Sequence, residues 1–401
     1  MNDIDDIKVL KYGGSSLATP DHVNRVAEQV AEFSRRGHRV VVVASAMGDS
    51  TASLMSMARD VADAPEAREL DKLLSTGELM STSLLSMAVN RLGREAVSLT
   101  GPQCGIVTDD SHFNATIQHV DCSRIRDELS RGRVVVAAGF QGCSGADEVT
   151  TLGLGGSDTT AVVLAAALGV SECEICSDVD GIYSADPRVV ADAGMIPELS
   201  FEEMMTMSRH GASVLNPTAV DQARRHGVAI RSRHTDHPDA TGTLVHDLEP
   251  EGPRVVGIAS HDAVLPLAVP AHDDAGILPE GVDHNDLVMD RRDAGTGHRH
   301  IAIPAERLPD AEGYGERLTR RLGDAVQVGE PCSSVSAIGV GVGETPEMQS
   351  RSRRISARAG VDTRHHFGAG NAITWLVEPG HAPRLMNAFH GAFQCPETNA
   401  V

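Results

Sequence analysis

Through the first 245 or so residues, short β-branched runs alternate with longer amphipathic stretches. "IKVLKYGG" is followed by "HVNRVAEQVAEFSRRG", then by "HRVVVVASAMG", and later by "RVVVAAGFQG", "AVVLAAALG", "CEICSDV" and "GVAIRSR". Near-continuous Val and Ile runs belong to strands buried on both faces, which need helices above and below a parallel sheet. The pattern predicts one large α/β domain over residues 1–247. In sheets of this kind ligands bind at the carboxyl ends of the strands, so the loops there are where chemistry is expected.

After "TGTLVHD" the texture changes. Residues 250–330 are rich in Pro, Gly, Asp and His, with strand candidates only at Val264 to Val269 and His300 to Ile303. Residues 270–300 have no helical periodicity, which reads as a surface excursion or a decayed element. From 333 onward the pattern is strand, helix "EMQSRSRRISARAG", strand "AITWLVEP" and helix "APRLMNAFHGAF". The expectation for residues 248–401 is a small α+β module preceded by a weaker one.

Composition narrows the function classes. With 35 Lys plus Arg against 56 Asp plus Glu, the net charge of −21 repels nucleic acid and anionic membranes. Anionic ligands must then be held locally, by glycine loops, helix N-termini and single cations. The acidic start "MNDIDDIKVLKYGG" lacks the basic and apolar regions of a signal peptide, and no apolar run approaches the ~18 residues of a membrane span. A cytoplasmic location is expected. Seven scattered cysteines argue against a disulfide framework, and the pair Cys173 and Cys176 lies in a strand pattern. No metal is expected: His298 with His300, and His365 with His366, lack converging ligands at metal spacing.

Five loops follow successive strands. In "KYGGSS", Gly13 and Gly14 allow close backbone approach to a phosphate and Lys11 offers a point charge, although a plain tight turn uses the same residues. "VVVVASAMGDST" ends in Ser45, Gly48, Ser50 and Thr51, small donors for a pocket or for N-capping. In "KLLSTGELMSTS", Glu78 is expected to open an apolar helix, where its carboxylate meets either a substrate ammonium or the helix dipole. "TTLGLGGSDTT" carries Gly155, Gly156, Ser157 and Asp158 into an Ala-rich helix expected from Thr160. "CSDVDGIYSADPR" supplies turns, Tyr183 to flank a flat ring and Arg188 to reach phosphate. Together they are a stronger signal than any one alone.

These segments, in this order, resemble the aspartate kinases of the amino acid kinase family. "KYGGSS", "VVVVASAMGDST", "STGE", "SLTGPQCGIVTDDSHFNATI", "VVVAAGFQG", "VTTLGLGGSDTTAV", "SDVDGIYSADPR" and "LSFEEMMTMSRHGASVLNP" match its motifs over about residues 7–245. The resemblance implies the amino acid kinase fold, a mainly parallel sheet covered on both faces, followed by degenerate paired ACT-like domains over 248–401. It implies ATP-dependent phosphorylation of a carboxylate, the β-carboxylate of aspartate or a related derivative, with Mg²⁺ carried mainly by ATP oxygens. By the same resemblance Lys11, Gly13, Gly14 and Ser15 hold phosphates and Asp158 orients Lys11. Ser45, Thr51, Glu78, Gly155, Gly156 and Ser157 meet the amino-acid substrate, and Ser177, Asp178, Tyr183, Asp186 and Arg188 meet the nucleotide. A homo-oligomer built through the ACT-like region is implied as well, with no nucleic-acid or membrane partner.

The chain departs from the family at two cations. Where the family has G-R-G-G-S-D, this chain has "GLGGSD", so Leu154 replaces the arginine expected on the substrate α-carboxylate. Where a second lysine is expected near the ATP phosphates, "GASVLNP" places Ser213. Losing a buried charge-assisted contact costs roughly 2–5 kcal/mol, or about two to three decades in affinity. Three readings follow: a kinase for a related acceptor, a weak ordinary aspartate kinase, or an impaired homologue that binds nucleotide as a regulatory or structural subunit.

Overall fold

The computed structural model describes residues 6–153, 155–212, 214–249, 252–270, 277–279, 282, 287–293, 297–308, 311–393 and 395. Two compact units divide the chain. The first comprises Met1–Ile182, Pro197–Phe201 and Leu215–Leu248; the second comprises Tyr183–Ile196, Glu202–Val214 and Glu249–Val401.

The first unit opens with β1 (Ile7–Tyr12), α1 (Pro20–Arg35), β2 (Arg39–Ala44), α2 (Ser50–Val61) and α3 (Ala67–Arg91). It continues through β3 (Ala96–Leu99), β4 (Ile106–Thr108), β5 (Ile117–Val120), α4 (Ser123–Ser130) and β6 (Val134–Ala138). Then come β7 (Gln141–Ser144), β8 (Val149–Thr151), α5 (Gly156–Leu168), β9 (Glu172–Ser177) and β10 (Glu198–Ser200). All but the first residue of α6 (Phe201–Arg209) falls in the second unit. The last elements of the first are α7 (Pro217–His226), β11 (Ala229–His234) and β12 (Thr243–His246).

Eight strands form the main sheet in the order β10-β12-β11-β9-β1-β2-β6-β3, and β4, β5, β7 and β8 make a second, four-stranded sheet. In the main sheet every neighbouring pair is parallel except β11 with β12. The all-apolar runs of β2 and β6 are buried on both faces, as such runs require. Leu10 and Tyr12 pack with Val23, Val26 and Val30 of α1 and with Leu85 and Val89 of α3. Strand alternation sends Lys11 to the opposite face, where α5 lies on β1, β2 and β9. The α/β fold expected from the hydrophobic pattern is the fold observed.

Two helix starts differ from the sequence reading. α5 begins at Gly156 rather than Thr160, because Gly155 takes the left-handed conformation (φ 77°) that turns the chain into the helix. α3 begins at Ala67, so Glu78 sits in mid-helix and is no first-turn partner of the dipole. "STG" looks like a break, yet a Cβ on Gly77 would come within 2.8 Å of the Ala46 Cβ. That glycine lets the helix pass close to the end of β2.

The second unit contains β13 (Gly257–Pro270), β14 (Met289–Asp293), β15 (His298–Pro304), α8 (Ala311–Leu322) and β16 (Gln327–Val328). β17 (Cys332–Ile338), α9 (Pro346–Ala359), β18 (Thr363–Ala369), β19 (Ala372–Val377) and α10 (Ala382–Phe393) follow. Its antiparallel sheet runs β14-β15-β13-β17-β19-β18, with β16 paired to β13. One core gathers Val335, Trp375, Leu385 and Phe389 beneath α9 and α10; another gathers Leu267, Ile301, Tyr314 and Leu318 beneath α8. The sequence reading missed α8 and β18. Gly313 and Gly315 weaken the helical signal of α8, but a Cβ on Gly315 would meet Val328 at 2.7 Å, so packing on β16 demands it. Much of 270–300 lies outside the described residues.

Candidate functional site

The loops after β1, β2 and β9 and the start of α5 meet at the carboxyl edge of the sheet. Gly14 is where the first two touch: its carbonyl accepts the Gly48 N–H at 3.0 Å, and a Cβ there would lie 3.0 Å from the Ala46 carbonyl oxygen. A side chain there would press on the backbone of the second loop, which glycine avoids. The Gly13 N–H donates to the Cys176 carbonyl at 3.2 Å, which ties the first loop to the end of β9. That amide is engaged within the protein and is not a phosphate donor in this arrangement.

Lys11 reaches the first turn of α5, where its Nζ stands 2.7 Å from Asp158 Oδ1 with both side chains nearly enclosed. Asp158 Oδ2 accepts the Asn216 N–H at 3.3 Å. A Cβ on Gly155 would strike Asn216 Nδ2 at 2.3 Å, one on Gly156 would strike Leu152, and one on Gly139 would strike Ser157. The glycine run packs α5 against its surroundings before any ligand is considered.

Glu78 is buried and faces the second loop. Its Oε1 accepts the Ala46 N–H at 3.1 Å, while Oε2 has no partner among the described residues. Burial pushes its carboxyl up to about 7, against the smaller opposing pull of that amide. Ser81 Oγ donates to the Ser45 carbonyl at 2.7 Å, and Thr51 occupies the first turn of α2. These placements leave a buried, half-satisfied carboxylate beside small hydroxyls, a setting that favours a cation.

Ser15, Ser16, Ser177 and Asp178 line a cavity of about 290 Å³ together with His22, Arg25, His234, Thr235 and Asp236. Ser16 and Thr235 hydroxyls bond at 2.6 Å and the Thr235 N–H donates to the Ser177 carbonyl at 2.8 Å, closing its floor. Tyr183, Asp186 and Arg188 belong to the second unit. There Arg188 is exposed and bonds Asp186, Nη2 to Oδ2, at 2.7 Å. Leu154 and Ser213 lie outside the described residues.

Several members were not legible in the sequence. Asp71, fully buried on α3, accepts from Thr151 Oγ1 at 2.6 Å and from the Phe113 N–H at 3.0 Å, and pairs with His112 Nδ1 at 2.7 Å. It pins the loop between β4 and β5, whose Asn114 touches Gly153. Glu174 is shared by Lys8 at 2.8 Å and the buried Arg233 at 2.7 Å beneath the Cys176 end of β9. Burial would raise the Glu174 carboxyl, but Arg233 and Lys8 hold it below its ordinary value. No motif marks these residues; only pairing across 41 to 166 positions does. Cys173 and Cys176 are free, buried thiols that three-residue spacing sends to opposite faces of β9, and burial pushes the Cys176 thiol up to about 12.

A model of the amino acid kinase family matches residues 6–232. The aspartokinase of Geobacillus stearothermophilus is 35% identical over 406 residues, covering 98% of this chain and 99% of that protein. The aspartokinase of Mycobacterium tuberculosis is 49% identical over 261 residues, 63% of this chain and 61% of that protein. Among solved structures, Escherichia coli aspartokinase III in complex with aspartate and ADP superposes with a TM-score of 0.80, covering 96% of this chain and 99% of that one at 24% identity, a likeness of fold.

Proposed function

The chain belongs to the amino acid kinase family, as a homologue of its aspartokinases, and from that premise we propose that it transfers the γ-phosphoryl group of ATP to the β-carboxylate of aspartate. The observation that carries this reading is the enclosed pair of Lys11 and Asp158 at 2.7 Å, at the strand ends where such sheets hold ligands. A carboxylate is already a nucleophile, so the protein's task is to bring two anions into line and neutralise the charge they share. Lys11, held by Asp158, supplies that charge without searching rotamers. Glu78 binds the α-ammonium, which restores the ion pairing its burial lacks. Ser45 and Thr51 orient the carboxylate under attack, and Gly155, Gly156 and Ser157 wall the substrate.

Gly14 and Ser15 lead from the phosphates toward the cavity lined by Ser177 and Asp178, which takes the nucleotide. The family resemblance also assigns Tyr183, Asp186 and Arg188 of the second unit to the nucleotide. Mg²⁺ bound to ATP would supply neutralisation of phosphate oxygens; the enclosed carboxylate nearest Lys11 is already paired, which fits an ion carried by the nucleotide. Leu154 and Ser213 withhold two cations, so aspartate is held less tightly than by a family member that has them. Residues 248–401 act as a degenerate ACT-like region in which feedback by lysine or threonine is lost or much altered, and two or more copies assemble through it in the cytoplasm. Among the described residues no helix is long and apolar enough to cross a membrane.

A coupled ADP-release assay over aspartate, its α-amide, its α-ester and related β-carboxylates tests the reading. Aspartate-dependent ADP release is expected. ATP binding with no turnover on any of these acceptors would overturn it in favour of a nucleotide-binding subunit.

A further inference from the structure

Beside the cavity read above as the nucleotide's, whose lining includes His234, the first unit brings together two imidazoles and a carboxylate. Asp180 lies in the loop after β9, His234 ends β11 and His237 sits in the following turn. β9 and β11 are parallel neighbours with Ser177 opposite His234, so their carboxyl-terminal loops emerge side by side. The turn is closed by the His237 N–H donating to the His234 carbonyl at 3.3 Å, and a three-residue spacing in so tight a turn sets both rings on one side. Their centroids are 4.7 Å apart with planes inclined by 30°. His237 Nδ1 stands 3.0 Å from Asp180 Oδ1, and one donor atom from each of the three residues lies within 4.8 Å of the others.

We propose that Asp180, His234 and His237 form a binding site for a borderline divalent cation of the zinc type. Two imidazoles and one carboxylate make a set suited to zinc, with a fourth position left for water or an exogenous ligand. Bonds of about 2.0–2.1 Å in a tetrahedron put ligand atoms roughly 3.3 Å apart. The His237 to Asp180 edge at 3.0 Å is close to that value, and the cation takes the place of the proton the two now share. The remaining separations, all within 4.8 Å, close through rotation of the solvent-exposed Asp180 and His237. His234 must release the Asp236 N–H, which its Nδ1 accepts at 3.0 Å. That costs one neutral hydrogen bond, which the bond from imidazole to metal replaces. The neighbouring Asp236 carboxylate faces Arg25 at 3.8 Å and does not crowd the site with a second uncompensated charge.

The donor set separates this site from the magnesium that accompanies ATP, since Mg²⁺ prefers oxygen ligands in octahedral array. It also differs from the histidine pairs of the second unit. His366 stacks on Trp375 and accepts from Arg353 at 2.6 Å, and the His300 and His365 rings are 6.3 Å apart with no third ligand gathered among the described residues.

The test is a titration of the full-length, chelator-treated protein with Co²⁺, followed by its visible d–d absorption, and with Zn²⁺ by calorimetry. One equivalent with tetrahedral absorption is expected, displaced by Zn²⁺ and unaffected by a large excess of Mg²⁺. Asp180→Asn, His234→Ala and His237→Ala should each weaken binding by at least about tenfold, the scale that even an outer ligand partner commands. The double variant His298→Ala, His300→Ala should bind as the parent does. Absence of saturable binding, or binding unchanged in His237→Ala and Asp180→Asn while their circular dichroism matches the parent, overturns the proposal.

Discussion

The two units differ in the polar groups that mark their interiors. In the first, charge is enclosed at the strand ends: Lys11 with Asp158, Glu78 half-satisfied, Glu174 between Lys8 and Arg233. The second buries Arg299 against Asp290, and around its sheet it also holds neutral hydrogen-bonded pairs, among them Ser336 with His210 Nδ1 at 2.8 Å and Ser184 with His390 Nε2 at 2.8 Å. Burial drives His210 down to about 3, with His261 and Arg209 adding to the effect. A buried ion at the mouth of a sheet can be re-paired by a ligand, whereas a neutral pair inside a sheet is complete without one. Burial of a polar side chain therefore points to chemistry where it leaves a charge for a ligand to pair, and to packing where its partners are complete.

The largest effect that would sharpen this contrast comes from Lys11→Met. Turnover should fall roughly a thousandfold, the scale of losing one electrostatic contact to the reacting group. Thermal unfolding should also show a loss of about 3–5 kcal/mol, because Asp158 is left as an uncompensated buried charge. Retained turnover would place the chemistry elsewhere. Next in size, Leu154→Arg combined with Ser213→Lys should raise kcat/KM for aspartate by about two decades, if the missing cations are the principal deficit. An unchanged value would argue that the surrounding loops have been rearranged as well.

pH breaks the comparison in opposite directions. Glu78 has a folded-state pKa raised to about 7 from 4.5, so the native state holds its proton more tightly than the unfolded chain. Stability from this group is present below about 4.5 and is lost as pH rises through 7, at most about 3 kcal/mol. Glu78→Gln should flatten that slope, and in the parent KM for aspartate should rise several-fold as pH drops below about 7 and the carboxylate is lost. His210 has the reverse sign: lowered from 6.5 to about 3, it favours folding above 6.5 and that contribution disappears as pH falls toward 3. The smallest effect is expected from Ser336→Ala, which removes the closer partner of the buried His210 Nδ1 and leaves Thr374 Oγ1 at 3.5 Å, at a cost of about 1 kcal/mol and with kcat untouched. A kcat change there would couple the second unit to turnover.

Hydrophobic patterning alone made the first unit's sheet legible, since unbroken runs such as "VVVV" in β2 have no other soluble setting. The loops were legible as a set because small residues recur at each strand end. α8 and β18 were not, since the glycines of one and the exposed Arg and His of the other suppress periodicity that tertiary packing restores. Glu78 was placed on a helix but at the wrong point along it, because Gly77 reads as a stop and serves as a contact.

What the sequence by itself determined is the α/β class, the family, the residue types at the strand ends and the two positions where family cations are missing. Those follow from local order along the chain. Only the tertiary structure decided which of these groups meet. It closed Lys11 on Asp158 across 147 positions, gathered Asp180 with His234 and His237, and engaged the Gly13 amide with Cys176. Parallel strands bring distant loops to one edge, and the pairing of those loops depends on strand order and on close backbone approach, neither of which any local pattern encodes.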